Sequence, residues 1–177
     1  MIRVVITGPE CTGKSTLTAE LARHYKAPWF SEYARDYIAG IGRNYTYDDV
    51  VHIAEVQYKQ AFEEVSDSRV VFFDTWLIIT KVWFEVVFGR YPEWIDAALQ
   101  KDSVDLYLLC DTGIPWVPDN VRENGGEMRE ALFRRYLAEI ESLGSRYAIV
   151  RGTGPERLIH AIKAIDQFFP DICLNNN

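Results

Sequence analysis

Residues 8–15 read Gly8-Pro9-Glu10-Cys11-Thr12-Gly13-Lys14-Ser15. Two glycines bracket four residues, and a lysine and a hydroxyl follow at once. Glycine permits the backbone turns that point successive N–H groups inward, which makes a cradle for an anion. The lysine supplies a positive charge on a flexible stem, and a hydroxyl beside it is a ligand for a hard divalent cation. The spacing is that of the phosphate-binding loop G-x-x-x-x-G-K-[S/T]. Strand formers Val4–Thr7 precede it, and a helical pattern, Ser15–Tyr25, follows, so the positive end of a helix is aimed at the anion. On this reading residues from Gly8 through Thr16 wrap the phosphates of ATP. Lys14 reaches the β- and γ-oxygens, and Ser15 helps hold Mg²⁺.

Sites of this kind bring a second carboxylate to the metal from the end of a neighbouring strand. The apolar run Val70–Phe73 delivers Asp74 to that position. Capping of the following helix is the alternative use of Asp74. Asp111, after Val104–Cys110, is the competing carboxylate. Glu32 and Arg35 follow the run Trp29–Ser31 and are expected at the same sheet edge. Glu32 is suited to orient or deprotonate a hydroxyl, and Arg35 to bind a phosphate or sugar, unless the two form a surface ion pair. Pro115–Arg129 is polar and contains glycines, so a mobile lid is expected over about 113–130, with Arg122 closing on the transferred phosphoryl group. Arg134 and Arg135 beyond it suit a solvated helix face. The turn "VRGTGPERL" is a candidate wall for the donor's base, with Arg157 beside it. Trp29, Trp76, Trp83 and Trp116 are aromatics able to stack on a cationic ring, Trp116 foremost because it lies in the lid. Cys11 reads as a small filler, the alternative being a redox-sensitive thiol of lowered pKa.

What must position these groups is a sheet buried on both faces. Val4–Thr7, Trp29–Ser31, Val70–Phe73, Val104–Cys110 and Tyr147–Val150 are continuous rather than alternating apolar runs. Helical patterns occupy Ser15–Tyr25, Thr46–Val65, Leu77–Phe88, Trp94–Gln100, Glu127–Leu143 and Pro155–Phe169. Thr46 is the expected N-cap of the second of these, and Gly144 the C-cap glycine of the fifth. Strand–helix alternation implies an α/β domain with a parallel sheet and right-handed crossovers. With 177 residues and 48% hydrophobic content, one domain over 1–170 and a tail over 171–177 account for the chain. The net charge of −7 argues against nucleic acid or an anionic membrane as partner. No apolar run approaches the roughly 18 residues of a membrane span. Cys11, Cys110 and Cys173 are too dispersed for a disulfide framework or a zinc cluster, so a cytoplasmic protein is expected.

Five segments together resemble the ribosylnicotinamide kinase domain of NadR-type proteins. They are "GPECTGKSTL", "SEYARDYI", "FFDTWLIITKVWFEVVFG" with "YPEW" after it, "DLYLLCDTGIPWVPDNVRENGG" and "GTGPERLIHAI". The resemblance implies a three-layer P-loop kinase fold, with a central parallel five-stranded sheet and helices on both faces. It implies transfer of the ATP γ-phosphate to the 5′-hydroxyl of nicotinamide riboside, a small-molecule nucleoside. It carries over at Gly8, Gly13, Lys14, Ser15, Glu32, Arg35, Asp74, Trp116 and Arg122. Two positions depart. The chain reads Asp74-Thr75-Trp76 where the family usually reads Asp-Thr-Asp, and Asp119-Asn120 where it usually reads Asp-Gly. The family's full-length proteins also carry an adenylyltransferase domain. His24, His52 and His160 are singly placed here, so neither that activity nor DNA binding is expected. Two other readings stay open: a kinase of another nucleoside or small metabolite, and a nucleotide-dependent switch or ATPase without an acceptor. Self-association is also left open.

Overall fold

The computed structural model describes residues 1–61, 68–101, 104–117 and 126–172. Five strands form one parallel sheet: β1 (Ile2–Thr7), β2 (Trp29–Phe30), β3 (Val70–Asp74), β4 (Leu106–Cys110) and β5 (Tyr147–Val150). Their spatial order is β2-β3-β1-β4-β5. Seven helices connect or flank them: α1 (Lys14–Tyr25), α2 (Tyr33–Gly40), α3 (Tyr47–Gln60), α4 (Leu77–Phe88), α5 (Trp94–Gln100), α6 (Glu127–Ser142) and α7 (Gly154–Phe168). None of the described helices is long and apolar enough to cross a membrane.

The strands alternate their side chains between two cores. Val5, Val71, Phe73, Tyr107 and Leu109 join residues of α3, α4, α5 and α6 on one face. Val4, Ile6, Val70, Phe72, Leu106 and Leu108 join α1 and α7 on the other. Burial on both faces explains why these strands read as continuous apolar runs. Order reverses at β1, which lies between β3 and β4. In open parallel sheets ligands bind at the carboxyl edge beside such a switch point. The loop after β1 and the end of β3 are therefore placed side by side, in register from Ile2↔Val70 to Ile6↔Asp74.

Three boundaries differ from expectation. "YARDYIAG" forms α2, in place of the sheet-edge segment expected after β2. Its apolar face, Tyr33, Ala34, Tyr37 and Ile38, is only half-buried, and the helix is eight residues long, too short for that spacing to stand out. Of the lid expected over about 113–130, residues 118–125 lie outside the described residues, and from Glu127 the chain is in α6, after Gly126 at φ 56°. Packing runs past residue 170, since Pro170–Ile172 make a 3-10 turn and Ile172 is buried. Thr46 does cap α3, in a reciprocal box with Asp49. The last expected turns of that helix lie outside the described residues.

Candidate functional site

The loop from Gly8 to Gly13 rises from β1 and turns directly into α1. Gly8 has φ 140°, and a Cβ there would stand 2.7 Å from the Cys110 carbonyl oxygen of β4. Only glycine lets the loop pass so close. The Pro9 carbonyl accepts from the Thr12 hydroxyl at 2.8 Å and from Lys14 Nζ at 3.0 Å. The buried lysine head thus rests on the loop itself. Ser15 and Thr16 are exposed on the first turn of α1. Cys11 has φ 57°, uncommon for a residue with a side chain. Its sulfur donates to the Pro115 carbonyl at 3.5 Å and accepts from the Val117 N–H at 3.3 Å.

Asp74 closes β3 and is only 2% exposed. Burial pushes its carboxyl up to about 6, and the charge of Glu32 adds to the rise. Ser15, as a hydrogen-bonding neighbour, and the charges of Lys14 and Arg35 pull it down. Those five expected residues are therefore brought to one place, from the start of α1, the start of α2 and the end of β3. Glu32 stands at the N-cap position of α2, and Arg35 lies exposed on its first turn. The next corner is strained: Thr75 is β-branched and sits at φ 70°. Such a residue costs about 1–3 kcal/mol and persists where surrounding structure enforces it. Here its N–H is tied to the Ile6 carbonyl at 3.0 Å.

Behind the loop stand two buried arginines. Arg129 Nη2 donates to the Ile114 carbonyl at 2.9 Å and to the Cys11 carbonyl at 3.4 Å. Arg157 donates to the Thr12 carbonyl, and to that of Gly152 at 3.1 Å, and lies 3.7 Å from Asp111. Asp111 is thus engaged by Arg157 rather than free at the metal position. Among the described residues, the buried side-chain N and O atoms without a hydrogen-bond partner are Thr7 Oγ1, Asp74 Oδ1, Trp116 Nε1, Arg129 Nε and Arg157 Nε. All five belong to the carboxyl edge or the surroundings of the loop. Unpaired buried N–H donors suit an anion, and an unpaired carboxylate oxygen suits a cation. Oxygen ligands such as Asp74 and Ser15 fit magnesium.

Other expected residues fall elsewhere. Trp76 is 2% exposed in the core, and its indole N–H donates to the Gln57 carbonyl at 2.9 Å. It has no open face for a ligand ring, which corrects its candidacy as a stacking aromatic. Trp83 packs edge-on against Tyr45 at 4.9 Å, Trp29 is 42% exposed on β2, and Trp116 is half-buried. Arg135 pairs with Glu85 at 2.9 Å, and Arg134 is exposed. Arg122 lies outside the described residues. Tyr136 and the strut made by Arg129 were missed. Burial raises the Tyr136 phenol, and the charges of Glu10 and Glu32 raise it further; its ring lies in the core with Val5, Phe73 and Leu109. The signal was available: Arg129, Leu132, Tyr136 and Ile140 form one buried helical stripe.

Fold and site together define a class, a P-loop domain with the three-layer architecture of small-molecule kinases. A family profile described as an AAA domain matches residues 3–157, and the chain belongs to that family of P-loop domains. It is 29% identical over 143 residues to the trifunctional NAD biosynthesis/regulator protein NadR of Salmonella typhimurium, covering 77% of this chain and 35% of that protein. The chain therefore spans about a third of the length of this relative. A crystal structure of NadR in complex with NR superposes with a TM-score of 0.80 at 23% identity, over 96% of this chain and 52% of that one. A NadR structure with NAD and AMP-PNP gives 0.73 at 25% identity, over 94% and 49%. The resemblance read from the motifs is thus found in sequence and in fold.

Proposed function

We propose that the chain is an ATP-dependent phosphotransferase that carries the γ-phosphate of ATP to the 5′-hydroxyl of nicotinamide riboside, giving nicotinamide mononucleotide. The donor half rests on one observation: Asp74 Oδ1 is buried without a partner at the end of β3, in register with Ile6 on the strand from which the phosphate loop rises. The acceptor half rests on similarity to NadR, of which solved structures hold NR or NAD with AMP-PNP.

In this reading residues 8–16 wrap the triphosphate. Lys14 leaves the Pro9 carbonyl for the β- and γ-oxygens. Ser15 and Asp74 would hold Mg²⁺, which when bound neutralises charge on the phosphoryl group. The turn at residues 152–154 borders the donor's base, whereas Arg157, expected beside the base, is buried behind the loop on the Thr12 and Gly152 carbonyls. Glu32, Arg35 and Trp116 face the acceptor, and Glu32 or Asp74 orients its hydroxyl or takes the proton. The acceptor oxygen forms the new bond to phosphorus as the bond to the ADP oxygen breaks. Little base assistance is needed, because the transition state is loose. Arg122 is assigned to the γ-phosphate from sequence alone. A small molecule as partner and a cytoplasmic setting belong to the same proposal.

Trp76 favours a second reading. Its ring lies in the core where the family carboxylate is expected, so the acceptor pocket has one acid fewer. Another nucleoside is then the acceptor. A thermal-shift panel with Mg-AMP-PNP and individual nucleosides, followed by a phosphate-transfer assay with ATP, separates the two. Transfer to nicotinamide riboside above all others is expected. Transfer to a different nucleoside and none to nicotinamide riboside rejects the first reading.

A further inference from the structure

The crest of the phosphate loop is gripped from outside, and the grip falls on consecutive peptide units. Arg129 of α6 takes the Cys11 carbonyl, and Arg157 of α7 takes the Thr12 carbonyl. In a planar trans peptide the C=O of one residue and the N–H of the next point in opposite directions. No cis peptide occurs among the described residues. Holding the Cys11 oxygen therefore aims the Thr12 N–H the other way, and holding the Thr12 oxygen does the same for the Gly13 N–H. These N–H groups belong to the set that cradles phosphate in a loop of this pattern. Cys11 is also in a conformation that a side chain disfavours, at φ 57°, so its peptide needs an external hold.

The same Arg129 nitrogen bonds the Ile114 carbonyl, and the Ile114 Cδ1 methyl would lie 3.2 Å from a Cβ at Gly13. The loop is thereby pinned to the segment that follows β4. Arg129 is 6% exposed and Arg157 4% exposed, and neither guanidinium spends all its donors.

We propose that Arg129, with Arg157, is a positioning residue of the donor site: it presets the Thr12 and Gly13 N–H groups toward the phosphates by holding the far ends of their peptide units. This deepens the donor half of the proposed function and does not depend on the acceptor. The test compares wild type, Arg129→Met and Arg129→Lys in Mg-AMP-PNP affinity by calorimetry, in melting temperature without nucleotide, and in amide exchange over residues 8–15 and over α3. Methionine keeps the buried stem and removes the donors. At least tenfold weaker binding is expected, with faster exchange in 8–15 and unchanged exchange in α3. A merely structural arginine would loosen both segments alike, and that result overturns the inference. So does wild-type affinity in Arg129→Met. Should the methionine variant not fold, Arg129→Lys decides. Threefold or greater weakening with exchange raised only over 8–15 supports the inference, and wild-type behaviour overturns it. A wild-type protein that binds no nucleoside triphosphate would instead overturn the donor reading beneath it.

Discussion

The phosphate loop and the proposed acceptor edge meet at Asp74, and they are built by opposite means. The loop is backbone chemistry. Gly8 admits no Cβ, Cys11 and Thr12 have their carbonyls held, and the strands on either side are buried to 2% exposure or less. The acceptor edge is side-chain chemistry. β2 is two residues long, and no residue of α2 is fully buried. What fixes α2 to α3 is a web around Asp49. Tyr37 donates to Asp49 at 2.9 Å, and Arg43 grips both of its oxygens at 2.6 and 2.8 Å. The Tyr33 hydroxyl meets His52 Nε2 at 2.9 Å beside it. Phosphate is common to every donor, so a rigid backbone mould serves it. An acceptor is particular, and an edge made of side chains can change its choice without disturbing the core.

The comparison breaks most plainly at the donor side. Lys14→Ala should lower turnover by about 10³-fold, as loss of a charge at the developing transition state does. The fold should survive, because Lys14 makes one bond to Pro9. Near-normal transfer by this variant ends the donor reading. Asp74→Asn should cost about 10²-fold in turnover by the same logic, yet raise stability. The sign follows from the raised carboxyl, about 6 when folded against about 3.9 unfolded. The stability it contributes is full below pH 4 and is lost as pH rises through 6. At pH 7.5, without nucleotide or Mg²⁺, the buried charge costs up to roughly 3 kcal/mol, which asparagine does not incur. The wild type should therefore melt lower at pH 7.5 than at pH 5, and Asp74→Asn should lose most of that difference. An Asp74→Asn protein that melts below wild type at pH 7.5 contradicts a site strained for function.

The same contrast governed what the sequence could disclose. A backbone mould needs particular residue types at fixed spacing, so Gly8, Gly13, Lys14 and Ser15 were legible outright. Asp74 was legible as a candidate only, because β4 also runs into an acid, Asp111, and the pattern alone does not choose between them. The five strands followed from continuous apolar runs, a direct image of burial on both faces. α2 was not legible although Tyr33, Ala34, Tyr37 and Ile38 keep a helical spacing, since eight residues directly after a two-residue strand are too few for the period to separate a helix from an edge segment. The web at Asp49 joins residues of two elements whose packing only the fold supplies. Trp76 misled for a related reason: a tryptophan beside a candidate site residue reads alike whether it faces ligand or core. Arg129 sat on a helical stripe of apolar residues, and its charge hid that position.

Glu32→Gln sharpens the division. The acceptor term should suffer, with kcat/KM for the nucleoside falling about 10- to 100-fold if Glu32 takes or orients the proton. Affinity for Mg-AMP-PNP should stay within about twofold, since the mould is untouched. Glu32 also raises the Asp74 carboxyl, so the variant's acid limb should move to lower pH. Equal loss of donor and acceptor binding would show that the two regions are one.

Thr46→Ala is the mildest probe and the most local. Thr46 caps α3, and its hydroxyl and N–H both donate to Asp49, at 2.8 and 2.7 Å. Loss of an N-cap hydroxyl costs about 1 kcal/mol, or a fall of about 2–4 °C in a chain of this size. Arg43 first, and then the Thr46 backbone, hold the Asp49 carboxyl far below the usual carboxylate range. That depressed group contributes stability above about pH 4, lost progressively as pH falls below it. The variant keeps the Arg43 grip, so its penalty should be nearly constant from pH 8 to 5 and shrink only under acid. If the edge is independent of the mould, nucleoside KM should rise while Mg-AMP-PNP affinity does not change. A matching loss of nucleotide affinity would mean that the cap of α3 reaches the phosphate loop through Asp74, the one residue both regions share.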